Sequence, residues 1–219
     1  MSTVQNTIPA DAIPAIGQPY GGGFVNGITR DTPTGQLYLN ITAGGQHELR
    51  GAWGKPGESI EGADSLTDSR ANTEAMAAAG SELAQQVLDL NIGGFNDWAI
   101  PARDIQELQY RHFKPGSYTN HDLSCSGVNP SSVPVGMPYS AEDPPQTAHP
   151  GFRPGEPEAF HGLWWMTSTQ YSQDFCYGMN FEEGFQTGIG KVGDFPIRPV
   201  RRIPIAFEYP RLLETNPGS

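Results

Sequence analysis

Nine of the 20 prolines fall in one stretch, residues 114–160, together with five glycines and almost no hydrophobic periodicity. Proline removes a backbone donor and fixes φ, so this stretch cannot be a long helix or a central strand. A structureless segment of that length is uncommon inside a folded domain and usually carries function. It divides the chain into residues before and after it that do show regular patterns.

Before it, residues 1–60 alternate short β-type runs with turns. Phe24-Val25, residues 37–41 and residues 48–53 are the runs; glycines at 21–23 and 44–45 and the segment 31–35 separate them. Leu37, Leu39 and Ile41 alternate, which predicts a strand with one buried face. The one long helical stretch covers 63–90, where Met76, Ala79, Leu83, Val87 and Leu90 form a stripe. Gly80 is a natural break in it, with Ser81 as a fresh N-cap. A second, shorter helix is expected at 104–113, carried by Ile105, Leu108 and then His112 or Phe113. After the proline-rich stretch, residues 164–200 are β-like, with Phe175, Tyr177, Met179 and Phe181 alternating and a turn at Glu183-Gly184. A strand at 198–205 closes the pattern.

These elements predict an α+β fold with two helices, short antiparallel strands and a long irregular loop insertion. The expected organisation is a β-rich segment at 1–60, a main domain at 61–206 containing the 114–160 insert, and a proline-punctuated tail at 207–219.

Charge excludes one class of partner. The net charge is −11, and only Lys55, Lys114 and Lys191 are lysines. Nucleic-acid binding needs a positive field to displace phosphate counterions, and none is present. No run of 18 apolar residues suggests a membrane span, and the first residues do not have the pattern of a secretory signal.

The search for chemistry is largely negative. The five histidines have no metal-ligand spacing, and no metal or cofactor is expected. Gly188-x-Gly190-x-x-Gly193 matches a dinucleotide fingerprint on paper, but no helix pattern follows it. Asn40-Ile41-Thr42 is a glycosylation sequon inside a predicted strand. Thr167-Ser168-Thr169 and Cys125 are nucleophile candidates by composition only, so no catalytic residue is assigned. Cys125 and Cys176 fit one disulfide or two free thiols.

The aromatic inventory points to recognition. Tyr118, Tyr139, Phe152, Phe160, Trp164 and Trp165 lie in or beside the insert, and such rings supply rigid contact area with a polar handle. Tyr118, His121, Asp122, Tyr139, Phe152 and Tyr171 are the candidate ligand- or partner-binding residues. The competing reading is that these rings form the insert's own small core, and Trp165 favours it.

From Gly93-Gly94-Phe95-Asn96-Asp97-Trp98 through Pro101-Ala102-Arg103-Asp104, the sequence resembles the Lcl C-terminal domain family. That group is C-type-lectin-like and related in fold to formylglycine-generating enzymes. Further matching blocks follow in family order: residues 68–74, Tyr110-Arg111 with Lys114-Pro115, residues 165–172, 181–184 and 198–202. The resemblance covers about residues 60–205. Within it, Met166 stands in place of a usual tryptophan, Ala102 in place of a serine cap, and Gln106 and Gln109 at frequent leucine positions.

The resemblance implies that Trp98, Trp165 and Phe181 anchor the core. It also implies that Arg198, Arg201 or Arg202 pairs with carboxylates such as Asp97 or stacks on rings. It implies a non-enzymatic protein of a tailed-bacteriophage virion, in the tail or baseplate, made in the host cytoplasm. Its partners would be other virion proteins, copies of itself in a homo-oligomer, and a host surface glycan or protein. An architectural decoration protein of capsid or tail is the alternative; an enzyme of formylglycine-generating type is a more remote one. The calcium-dependent sugar motifs of C-type lectins are absent.

Overall fold

The computed structural model describes residues 7–123, 126–162 and 164–206. The expected tail at 207–219 and Cys125 lie outside the described residues.

Eleven strands and three α-helices are described, mixed in the α+β manner. The largest sheet uses both ends of the chain. Its order is β1 (Ile8–Pro9), β11 (Val200–Ala206), β4 (Leu37–Thr42), β3 (Gly23–Arg30) and β2 (Pro19–Tyr20), with β6 (Ser132–Val133) also pairing with β3. Pairing is antiparallel except between β1 and β11. The segment 1–60 is therefore continuous with the main domain, since β3 and β4 share this sheet with β11. A second sheet joins β5 (Leu49–Gly51) to β10 (Phe195–Ile197). A third holds β7 (Trp164–Gln170), β8 (Phe175–Asn180) and β9 (Gln186–Gly190) in that order.

The helices number three rather than the expected two. The stretch read as one helix is α1 (Ser69–Ala78) and α2 (Glu82–Leu88), split at Gly80, whose φ of +91° no helical residue adopts. Ser81 caps α2 by accepting from Ala84 N–H. Helix α1 starts at Ser69 rather than at 63 because the preceding residues are held in a turn. The side-chain amide of Asn72 bonds both backbone groups of Ser65, and Asp68 caps the helix by accepting from Ala71 N–H.

Helix α3 (Arg103–Phe113) departs most from its pattern. It is buried almost all round, with Asp104, Gln106, Glu107 and Gln109 as inaccessible as Ile105 and Leu108. The two glutamines work as main-chain clamps: Gln106 donates to Met166 O, and Gln109 to Thr42 Oγ1 and Arg198 O. Thr42 is thereby buried along with Leu39 and Ile41, so β4 has no solvent face along its second half. Ala102 supplies no side-chain cap. Thr169 Oγ1 accepts from Arg103 N–H and Leu66 O from Asp104 N–H, so tertiary contacts satisfy the helix start instead.

Two large apolar cores result, beside a small cluster of Ala102, Ile105 and Val200. One gathers Trp53, Trp98, Ile41, Met76, Met166 and Cys176 among the sheets and α1–α2. The other is mostly aromatic: Tyr110, Phe113, Tyr139, Phe152, Phe160, Trp165, Met179 and Phe181. Gly184 belongs to the second by necessity. Its φ is +75°, and a Cβ there would stand 2.4 Å from the Tyr110 ring.

Candidate functional site

The insert is where sequence placed most of the recognition residues, and the structure separates them. Tyr139 and Phe152 are 4% and 2% exposed, inside the aromatic core. Phe152 stacks on Phe113 with centroids 4.0 Å apart, and Tyr139 tilts against Tyr110 at 5.5 Å. Neither can touch a partner, which corrects their assignment as binding residues: burying each ring gains more than exposing it does.

Buried polar groups hold the insert on α3. Glu107 accepts from Arg111 Nε (2.8 Å), Tyr139 O–H (2.9 Å) and Asn129 Nδ2 (2.7 Å). Burial raises the Glu107 carboxyl above its ordinary value, and the Arg111 charge opposes that rise. Burial likewise pushes the Tyr139 hydroxyl well up. At the other end the Lys114 ammonium donates to Tyr118 O, Asn120 Oδ1 and Pro144 O, and its burial lowers its pKa. Asn120 continues the network to Ser140 O and receives the Tyr110 hydroxyl.

Tyr118 and Asp122 stay exposed and His121 half-buried. Ser126 Oγ gives its hydrogen to Leu123 O, so His121 Nδ1 donates to Ser126 Oγ at 2.9 Å. The His121 ring rests on Phe185, which meets Trp164 at the start of β7.

Tyr171 lies at the opposite end of β7 and belongs to a different surface. Residues 171–174 turn back into β8, and Tyr171 N–H bonds Phe175 O. In the β8–β9 pairing Phe175 faces Gly190 and Tyr177 faces Gly188. Two aromatic residues thus stand across from two glycines on one sheet face. The Tyr171 ring lies over Gly188, where a Cβ would be 2.9 Å from Tyr171 Cδ1, and meets Tyr177 edge-on at 5.0 Å. Over Gly190 there is nothing within 4 Å of a Cβ position. Tyr171 is 55% and Phe175 44% exposed, so the face is an aromatic wall beside an open floor. Arg103 lies 5.9 Å above the Tyr177 ring while bonded to Asp104 and Val128 O.

Sequence reading found Tyr171 and missed Phe175, Tyr177, Gly188 and Gly190. The signal was present as two period-2 patterns, aromatic on one strand and glycine on the next.

The remaining candidates are structural. Trp98, Trp165 and Phe181 are core residues, as the resemblance implied. Arg201 pairs with Asp97 and covers the Phe95 ring at 4.0 Å. Arg198 pairs with Glu48 and covers Phe160 at 4.1 Å; burial lowers its pKa against the pull of Glu48. Arg202 pairs with Asp68. Thr167, Ser168 and Thr169 are fully buried and hydrogen-bonded to neighbouring groups. Cys176 is buried, and its thiol is pushed up to about 12 by that burial, which leaves no reactive thiolate at neutral pH. Its pairing with Cys125 falls outside the described residues.

Among the described residues no group of three or more His, Cys, Asp or Glu could hold a metal ion, and no helix is long and apolar enough to cross a membrane. Comparison with protein-family models, curated proteins and solved structures finds no match to this chain.

Proposed function

We propose that this chain is a non-enzymatic recognition protein of a tailed-bacteriophage virion that meets a neutral glycan of the host surface with the Tyr171–Phe175–Tyr177 face. The observation that carries the reading is the exposed pair Tyr171 and Phe175 beside the open floor at Gly190. An exposed ring offers a flat apolar face to the C–H side of a sugar, and tyrosine adds a hydroxyl for its polar edge. The net charge of −11 disfavours an anionic polysaccharide, and Arg103, the cation at this face, is already engaged by Asp104.

The virion setting and a C-type-lectin-like form of the α+β fold rest on the sequence resemblance. Its blocks fall in order on α1, on the turn into α3, on β7, on the turn after β8 and on β11. The architectural alternative, a decoration protein joining neighbouring subunits, has one feature in its favour. Among the described residues no strand pairs with the outer edge of β9, and a free edge can accept a strand from another copy.

Particles carrying Tyr171→Ala with Phe175→Ala should assemble normally and adsorb to cells about tenfold or more weakly, the loss expected for two stacking rings. Normal adsorption would overturn the recognition reading. Failure of assembly with the isolated protein still folded would favour the architectural one.

A further inference from the structure

A second site is built from different elements. Residues 13–16 of the N-terminal arm and residues 133–137 of the insert wall a cleft of about 510 Å³ whose floor includes Ile28 and Leu108. That volume lies within the range of small-molecule sites. Val135 and Met137 on its insert wall are 58% and 66% exposed.

A bulge in β3 shapes the floor. Val25 pairs with Ile41 and Gly27 with Asn40, leaving Asn26 as the extra residue. Gly27 has φ +134°, and a Cβ on it would be 3.2 Å from His112 Cε1. Only glycine admits the imidazole so close to the strand in this conformation.

The bulge also fixes the histidine's chemistry. His112 Nδ1 is 2.6 Å from Asn26 O. A carbonyl can only accept, so Nδ1 carries the hydrogen and Nε2 keeps its lone pair. Burial, opposed by the Asn26 hydrogen bond and helped by the Arg111 charge, holds the ring neutral by lowering its pKa to about 4. Much of the other donor capacity around the cleft is committed. Arg111 bonds Glu107, Gly127 O and Met137 O, and Ser132 Oγ donates to main-chain carbonyls. The remaining charged lining residue, Asp143, is an exposed acceptor. The cleft therefore offers apolar walls and, in His112 Nε2, a side-chain acceptor that no donor among the described residues fills.

We propose that this cleft binds a small apolar molecule carrying a neutral N–H or O–H donor, which His112 Nε2 receives. A ligand without a donor would leave Nε2 unpaired in the cleft and bind more weakly.

The test uses the full chain and the fluorescent probe N-phenyl-1-naphthylamine, which is apolar with one N–H. Saturable binding of one probe per chain is expected. The N-methylated probe, lacking the donor, should bind about five- to tenfold more weakly. His112→Phe should bring the two probes to equal affinity, and Ile28→Trp should abolish binding of both by filling the cleft. Met137→Glu, on the exposed wall, is the second variant should Ile28→Trp fail to fold, and it should weaken both probes. Non-saturable binding, or binding untouched by the cleft variants, would overturn the site. Equal affinity of the two probes for the unmodified chain would overturn the role of His112.

Discussion

Arg201 grips Asp97 with two parallel hydrogen bonds, Nε to Oδ1 at 2.5 Å and Nη2 to Oδ2 at 2.9 Å. The same guanidinium donates to Gly21 O and covers Phe95, so one side chain joins β11, the turn before α3 and the turn before β3. Asp97 is about half exposed, which limits the pair's worth. Asp97→Ala should cost about 1–2 kcal/mol in urea unfolding, below the range for a fully buried pair. Arg201→Lys should cost a similar amount, because an ammonium loses the two-pronged geometry.

Glu107 is the acceptor for three donors from α3 and the insert. Glu107→Gln turns one carboxylate oxygen into a donor facing donors and should destabilise the fold by about 2–4 kcal/mol. The loss should be concentrated in the insert, so limited proteolysis within residues 126–147 should accelerate more than cleavage elsewhere.

Lys114→Met keeps the length of the side chain and removes its charge. Tyr118 O, Asn120 Oδ1 and Pro144 O each lose a donor. A cost of about 1–3 kcal/mol is expected, read by hydrogen exchange as faster opening of residues 115–123.

His112 makes stability depend on acidity. Its pKa falls from 6.5 unfolded to about 4 folded, so the unfolded chain takes up a proton first as pH drops. The contribution is complete above pH 6.5, declines toward pH 4 and is flat below, amounting to about 3 kcal/mol. Urea titrations of the unmodified chain and His112→Gln across this window should diverge in slope. Equal slopes would count against the neutral imidazole.

Gly188→Val tests the aromatic face without touching a ring. The new side chain must push Tyr171 off the sheet, since even a Cβ stands 2.9 Å from it. The expected result is a folded protein with a melting temperature within a few degrees of the original and glycan binding reduced about tenfold.

Much of the frame was legible because it is local. The α1–α2 split needs only Gly80 and Ser81, and the turn at Gly184 needs only its neighbours. The places of Tyr139 and Phe152 were not legible. Tyr139 is buried by Glu107, 32 residues away, and Phe152 by Phe113 and Phe24. In a segment without periodicity no nearby pattern tells a buried ring from an exposed one. Gln106 and Gln109, at frequent leucine positions, gave no sign in the sequence of the partners they bond, because Met166 O and Arg198 O come from residues far along the chain. At the aromatic face Gly188 and Gly190 matched a dinucleotide fingerprint only on paper, and the spacing is that of a strand's alternation.

The fastening of the insert has a consequence for how its surface can change. Lys114 holds Tyr118 and Pro144 by their carbonyls, Arg111 holds Gly127 and Met137 the same way, Asn120 holds Ser140, and Gln146 reaches back to Pro115 O. Such clasps are indifferent to which side chain each held residue carries. Exposed positions such as Tyr118 and Met137 can therefore be rewritten without loosening the loop, and selection can alter what this surface presents while the scaffold beneath it stays the same.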